Sequence, residues 1–230
     1  MFTTSNLLDA IYCSPSVKHL VYLSALGDYL SDVPAALRAC KFPHILCKVV
    51  IEQSLAANAA KLPFTVIGPG GFWANDFMAL DSMVKQGVYP VSIGQVGMSR
   101  VSEKDIGSAI CNAVLDGPKG KFAGKKIMVG SRKGYTDADF QALWGRALGK
   151  EIRLMKEGPE GLGLIETMVR SMRGPAWGRA FSLMVESFVN NGFKMTEEQY
   201  KLQVELLGRE PLKYEDFVAE TAKKALAGKN

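Results

Sequence analysis

The sequence contains no C-x-x-C pair, no N-x-[ST] acceptor and no apolar run near the roughly 20 residues that a membrane-crossing helix needs. Its first residues, MFTTSNLLDAIYCSPS, lack both a basic stretch and a long apolar core of the signal-peptide kind. Histidine is limited to two residues and cysteine to four. Cys40, His44 and Cys47 fall within eight positions, but a closed zinc site takes four ligands and Pro43 divides the cluster, so packed free thiols are the better reading and no metal is expected. Long runs of one charge are also missing. Lys and Arg exceed Asp and Glu by 28 to 23, and the densest basic clusters, Lys119/Lys121/Lys125/Lys126 and Lys223/Lys224, are short. That balance suits a phosphate-bearing ligand and gives no argument for nucleic acid. The expectation is a reduced, cytoplasmic protein with no membrane or nucleic-acid partner.

What is present is an ordinary globular composition, 47% hydrophobic and 22% charged over 230 residues, which excludes disorder and leaves chain for a sizeable core. Residues 4–12 read as an amphipathic helix, so the chain opens inside an element. From there strands and helices alternate. Leu20–Leu23 is a short apolar run that suits a buried parallel strand, followed by a polar loop from Asp28 to Lys41. His44–Ala60 is predicted helical with Pro43 at its start, and Phe64–Ile67 is the next strand, stopped by Gly68-Pro69-Gly70-Gly71. Helix is expected over 75–85, an extended piece over Met98–Val101, and helix over Glu103–Leu115 with Ser102 as its cap. Gly117 to Lys126 reads as a basic surface turn, 126–129 as a strand, and Asp137–Leu148 as a helix capped by Thr136 and ended by Gly149. A strand-like Ile152–Met155 follows. Beyond Gly158 four Met-, Phe- and Trp-rich stretches, 162–172, 176–190, 196–207 and 214–226, are helical. The pattern predicts a parallel α/β body over 1–157 and a helical part over 158–230.

Few constellations carry chemistry. Gly158-Pro159-Glu160-Gly161-Leu162-Gly163 has the wrong spacing for a dinucleotide loop and reads as a helix-entry turn. His44 and Lys48 share one helical face, with Glu52 a turn further on. Such a face is either a solvated stripe with a Lys48–Glu52 pair, or an imidazole and an ammonium set beside a substrate, the lysine holding hydroxyls and the histidine giving a proton near neutral pH. Gly68 to Trp73 closes a strand before a helix, where exposed backbone amides form a binding crevice in doubly wound folds. Phe72 and Trp73 either make a flat wall there or pack the helix to the sheet.

At these residues the chain resembles the NmrA-like family, atypical relatives of the short-chain dehydrogenases/reductases. Val17-Lys18-His19-Leu20-Val21-Tyr22-Leu23-Ser24-Ala25 resembles the family's VKHFVYLSA strand, and Pro43-His44 through Lys48 and Glu52 resembles its PH…K…E helix. Leu62 to Phe72 with Asn75-Asp76, then Val101 to Ile106, and then Leu206 to Pro211 with Tyr214 to Phe217 match three further segments in order. The resemblance implies a Rossmann-like parallel sheet lacking its first strands, a helical C-terminal substrate lobe, and NAD(P)(H) as cofactor, NADP before NAD. It implies cofactor contacts at Ser24, Ala25, Lys48, Pro69, Gly70, Gly71 and Phe72, with Lys48 on the nicotinamide ribose and with His44 and Lys48 as the catalytic pair.

Two positions depart from the pattern. His44 stands where dehydrogenases with a Tyr-x3-Lys pair carry tyrosine, a replacement linked in the family with weak or absent turnover, and Gly68 stands where an arginine is usual. The family's opening strand, its G-x-x-G-x-x-G turn and two βαβ steps have no counterpart in the sequence, which predicts a truncated chain with impaired cofactor binding and an open edge on the strand at 20–23. Three readings follow: an oxidoreductase acting on a small carbonyl or quinone compound; a non-catalytic NAD(P) sensor with a regulatory protein partner; and an inert fragment. Self-association through the open sheet edge is a further expectation.

Overall fold

The computed structural model describes residues 2–27, 30, 43–154 and 158–228, which fall into two compact units. One comprises residues 1–69, 104–129 and 197–210; the other comprises 70–103, 130–196 and 211–230. The chain therefore passes between them five times.

The first unit is built on a parallel sheet in the order β1 (Leu20–Leu23), β2 (Phe64–Pro69), β6 (Lys126–Val129). β1 registers Leu20 on Phe64 and Leu23 on Ile67, and β2 registers Ile67 on Ile127 and Pro69 on Val129. β2 is buried along its length, as a central parallel strand requires. β1 is only half-buried, because among the described residues it has a strand on one side alone. β2 also runs two residues further than its composition suggests. Gly68 and Pro69 continue the ladder against Met128 and Val129, and a Cβ on Gly68 would meet the Met128 sulfur and Lys126 Cε at 2.9 Å. Glycine is what lets the strand pass there. Helices α1 (Phe2–Cys13) and α2 (Pro43–Ala57) supply Leu8 and Leu55 to a core with Phe64 and Val66. Proline at the first position of α2 needs no amide hydrogen. Helix α4 (Glu103–Asp116) and helix α8 (Glu197–Leu207) complete the unit; Asn112 Nδ2 donates to the Leu206 carbonyl at 2.8 Å and Arg209 pairs with buried Asp105 at 2.7 Å. The loop predicted over 28–41 lies outside the described residues, apart from Leu30.

The second unit contains β3 (Gly71–Phe72), β5 (Met98–Val101) and β7 (Gly134–Tyr135) in one small sheet, and β4 (Val88–Tyr89) with β8 (Arg153–Leu154) in another. Its core gathers Trp73, Met83, Tyr89, Phe140, Trp144, Tyr214 and Val218 from a 3-10 turn (Trp73–Asp76), strand β4 and helices α3 (Phe77–Gln86), α5 (Asp137–Leu148) and α9 (Tyr214–Ala227). α5 begins with a reciprocal cap: Thr136 accepts from the Asp139 amide, and Asp139 accepts from the Thr136 amide. It ends at Gly149 with φ +66°, as its sequence predicts.

Helices α6 (Gly158–Arg173) and α7 (Pro175–Asn191) form an antiparallel hairpin joined by Gly174 at φ +94°. A Cβ on Gly178 would lie 2.6 Å from the Glu166 carbonyl oxygen, so the two backbones touch where no side chain intervenes. Ser182 donates to the Leu162 carbonyl at 3.3 Å, and Ile165, Val169 and Val185 close the seam. No helix among the described residues is long and apolar enough to cross a membrane.

Candidate functional site

The carboxyl ends of β1 and β2 bring several of the expected residues together in the first unit. The Ser24 amide donates to the Ile67 carbonyl at 2.8 Å, and the Leu26 amide donates to the Pro69 carbonyl at 3.1 Å. Ser24, Ala25 and Pro69 are thus neighbours at adjoining strand ends, the place where open α/β sheets hold ligands. The Ala25 carbonyl lies 3.0 Å from where a Gly68 Cβ would stand, so an arginine there would need the backbone to move.

Lys48 reaches the same strand end from α2. Its ammonium donates to the Leu23 carbonyl at 2.9 Å and lies 5.1 Å from the centre of the Tyr22 ring. Burial raises the Tyr22 phenol well above its ordinary range, with Cys47 and Glu52 adding to it, so Tyr22 stays neutral beside the ammonium. The alternation along β1 decides what Lys48 is touching. Leu20 and Ser24 bond towards β2, so the Val21 and Leu23 backbone groups point the other way, and Lys48 covers one carbonyl on that outer side.

Glu52 departs from the solvated stripe considered for this helix. It is fully buried; the Ser24 hydroxyl donates to its Oε1, and Lys126 Nζ lies 2.6 Å from the same oxygen. Lys126 is correspondingly buried and not a surface residue of the basic turn, because β6 begins with it, registered on Val66 in the middle of β2. This buried pair received no signal from composition; the one available was an acid directly after the apolar run Val49-Val50-Ile51. His44 is the second residue of α2, one turn before Lys48, and its side chain lies outside the described residues, as does Cys40.

Gly70, Gly71 and Phe72 belong to the second unit. A Cβ on Gly70 would meet the Ser99 carbonyl oxygen at 2.6 Å, and one on Gly71 would meet the Met98 sulfur at 2.7 Å. Both glycines are there for close packing on β5. Phe72 is half-buried, whereas Trp73 is buried against Tyr214 and Phe217, with ring centres 6.0 and 5.2 Å away. Trp73 is therefore a core residue and not part of a flat wall.

Behind these glycines sits a network that the sequence alone did not reveal. Arg100 pairs with Asp76 at 2.5 Å, the Tyr214 hydroxyl donates to the other Asp76 oxygen, and Trp144 Nε1 donates to the Tyr214 oxygen at 3.1 Å. The Arg100 guanidinium also lies 4.8 Å from the centre of the Tyr214 ring. Burial works against the charge on Arg100, but the Asp76 carboxylate outweighs it and holds the proton more tightly than usual. Burial raises the Tyr214 phenol, which remains a donor.

No protein-family model and no curated protein matches the chain. Solved structures do. A nucleoside-diphosphate-sugar epimerase from Staphylococcus aureus is 15% identical with a TM-score of 0.71, the match covering 94% of this chain and 69% of that one. An NADPH-dependent quinone oxidoreductase from Escherichia coli, solved with NADPH, is 16% identical with a TM-score of 0.68, covering 96% of this chain and 70% of that one. NmrA, a negative transcriptional regulator solved with NADP, is 17% identical with a TM-score of 0.61, covering 97% of this chain and 70% of that one. The chain thus shares the α/β fold of these structures.

Proposed function

We propose that this chain binds a nicotinamide dinucleotide, NADP(H) in preference to NAD(H), and serves the reduction of a small carbonyl or quinone compound. The observation that supports this most directly is Lys48. Its half-buried ammonium stands at the carboxyl end of β1 and has one acceptor among the described residues, which leaves N–H bonds for ligand hydroxyls. Ser24 suits the group differently from the expectation: its hydroxyl is turned to Glu52, so it serves the site through its backbone and by fixing the strand end. The cofactor-contact roles of Ala25, Pro69, Gly70, Gly71 and Phe72 rest on the resemblance.

When bound, the dinucleotide supplies the hydride. The chain's own part is to hold ribose hydroxyls at Lys48 and to deliver a proton, a role proposed for His44 one turn earlier in the same helix. A second reading, an NAD(P) sensor acting through a protein partner, is favoured by histidine at the position where Tyr-x3-Lys dehydrogenases carry tyrosine. Calorimetric titration with NADPH and NADH, before and after Lys48→Met, tests the binding. Loss of one charge-assisted hydrogen bond weakens binding roughly tenfold or more. Failure of both dinucleotides to bind, or an unchanged Kd in Lys48→Met, would refute the reading. Binding without NADPH consumption across a panel of quinones and aldehydes would decide for the sensor.

A further inference from the structure

The α6–α7 hairpin carries several exposed apolar side chains. Leu164, Met168 and Met172 recur at helical spacing along α6 and are 39%, 38% and 63% exposed. Trp177, in the first turn of α7, is 52% exposed. Apart from Gly174, every residue from Arg170 to Trp177 is exposed, so the turn projects from the hairpin. Charge is one-sided here. Between Glu166 and Glu186 the chain has no acidic residue and three arginines, Arg170, Arg173 and Arg179. Glu166 pairs with Arg170 at 3.2 Å and Arg179 at 3.5 Å, and the arginines outnumber it.

We infer that this turn seats the protein on an anionic lipid surface. Trp177 and Met172 would enter the headgroup boundary, while Arg170, Arg173 and Arg179 meet lipid phosphates and carboxylates. Tryptophan is amphipathic and favours that boundary, arginine keeps its charge in the headgroups while its stem lies on apolar surface, and a projecting apolar tip ringed by cations fits a soft anionic plane. A protein groove would have to supply a matching concavity, and the exposure rising towards the tip asks for none. Such binding lies on the membrane rather than across it, which is compatible with the absence of a long apolar run.

Vesicles test this with the whole chain. Trp73 and Trp144 are 6% and 0% exposed, so a change in tryptophan emission on binding reports Trp177. The protein is expected to co-sediment with phosphatidylcholine vesicles containing about one-third phosphatidylserine, with a blue shift of emission and quenching by brominated acyl chains. Pure phosphatidylcholine should bind at least tenfold more weakly, and salt should release the protein. Met172→Ala with Trp177→Ala, and separately Arg173→Glu with Arg179→Glu, should each lower vesicle binding at least tenfold. Arg173→Lys with Arg179→Lys should retain it, and unchanged circular dichroism will show that each variant folds. Wild-type protein that stays in the supernatant, or binds without a change in Trp177 emission, overturns the proposal. So does a dimer in sedimentation velocity that Trp177→Ala dissolves, since the occupant would then be a second copy.

Discussion

Replacing Arg100 by methionine should be the most damaging single change in the second unit. The side chains of Arg100 and Asp76 are 3% and 0% exposed and meet at 2.5 Å. At an effective dielectric near 20, opposite charges about 4 Å apart attract by about 4 kcal/mol. Removing one partner strands the other charge away from water, and this typically costs about 3–5 kcal/mol. In Arg100→Met the Asp76 carboxylate loses its charged partner and keeps neutral donors, the Tyr214 hydroxyl first among them. Asp76→Leu should cost a similar amount, because the buried guanidinium then loses its carboxylate partner. The double variant should recover much of the loss, leaving a coupling of about 2–3 kcal/mol. Urea denaturation followed by the emission of Trp73 and Trp144, both in this unit, measures it. With a slope of roughly 2–3 kcal/mol per molar, Arg100→Met should move the midpoint down by about 1–2 M. A shift worth less than about 1 kcal/mol, or additive single variants, would show that the pair is not the dry, mutually dependent interaction described.

Three further outcomes are expected. Thr136→Ala should destabilise by about 1 kcal/mol in the same denaturation experiment, since it opens the cap of α5; Thr136→Ser should restore most of that. Gly70→Ala should cost about 1–3 kcal/mol, because its methyl meets a backbone oxygen, whereas Gly107→Ala, in open space within α4, should stabilise by about 0.5–1 kcal/mol. Burial lowers the His19 pKa from 6.5, against the opposing influence of Asp116. A lowered folded value means a contribution present in full above pH 6.5 and lost as the pH falls through the folded value. The thermal midpoint should therefore drop between pH 7 and pH 5, and His19→Gln should flatten that drop; an equally steep profile in the variant would assign the sensitivity elsewhere.

Local chemistry made the elements legible. Thr136 and Gly149 bracket α5 because a cap and a left-handed glycine are choices made within a few residues, and the strands at 20–23 and 126–129 are short apolar runs between turn residues. The misreadings share a cause. Gly68-Pro69 looked like a stop, yet the strand continues because β6 pairs with it, and that partner lies 60 residues away in sequence. Glu52, Lys126 and Arg100 are charged types on segments whose period leaves burial open, and only the pairing across β2, or from the 3-10 turn to β5, decides it. At the candidate site Lys48 was legible as a helix position. That it would lie on the Leu23 carbonyl, and that Ser24 would turn inwards, depended on the register of β1.

The five crossings between the two units bear on how the protein is made. β1, β2 and α2 leave the ribosome early, but β6, which buries one side of β2, comes only at residues 126–129. α8, which packs in the same unit, comes at 197–207. Residues 70–103 and 130–196 of the second unit are synthesised before α8, and residues 211–230 after it. Neither unit can finish folding as its own gene segment emerges, and no single proteolytic cut can release one whole. A nascent chain therefore carries a half-built, apolar sheet until residues 126–129 have emerged, and it depends on whatever shields that surface in the meantime.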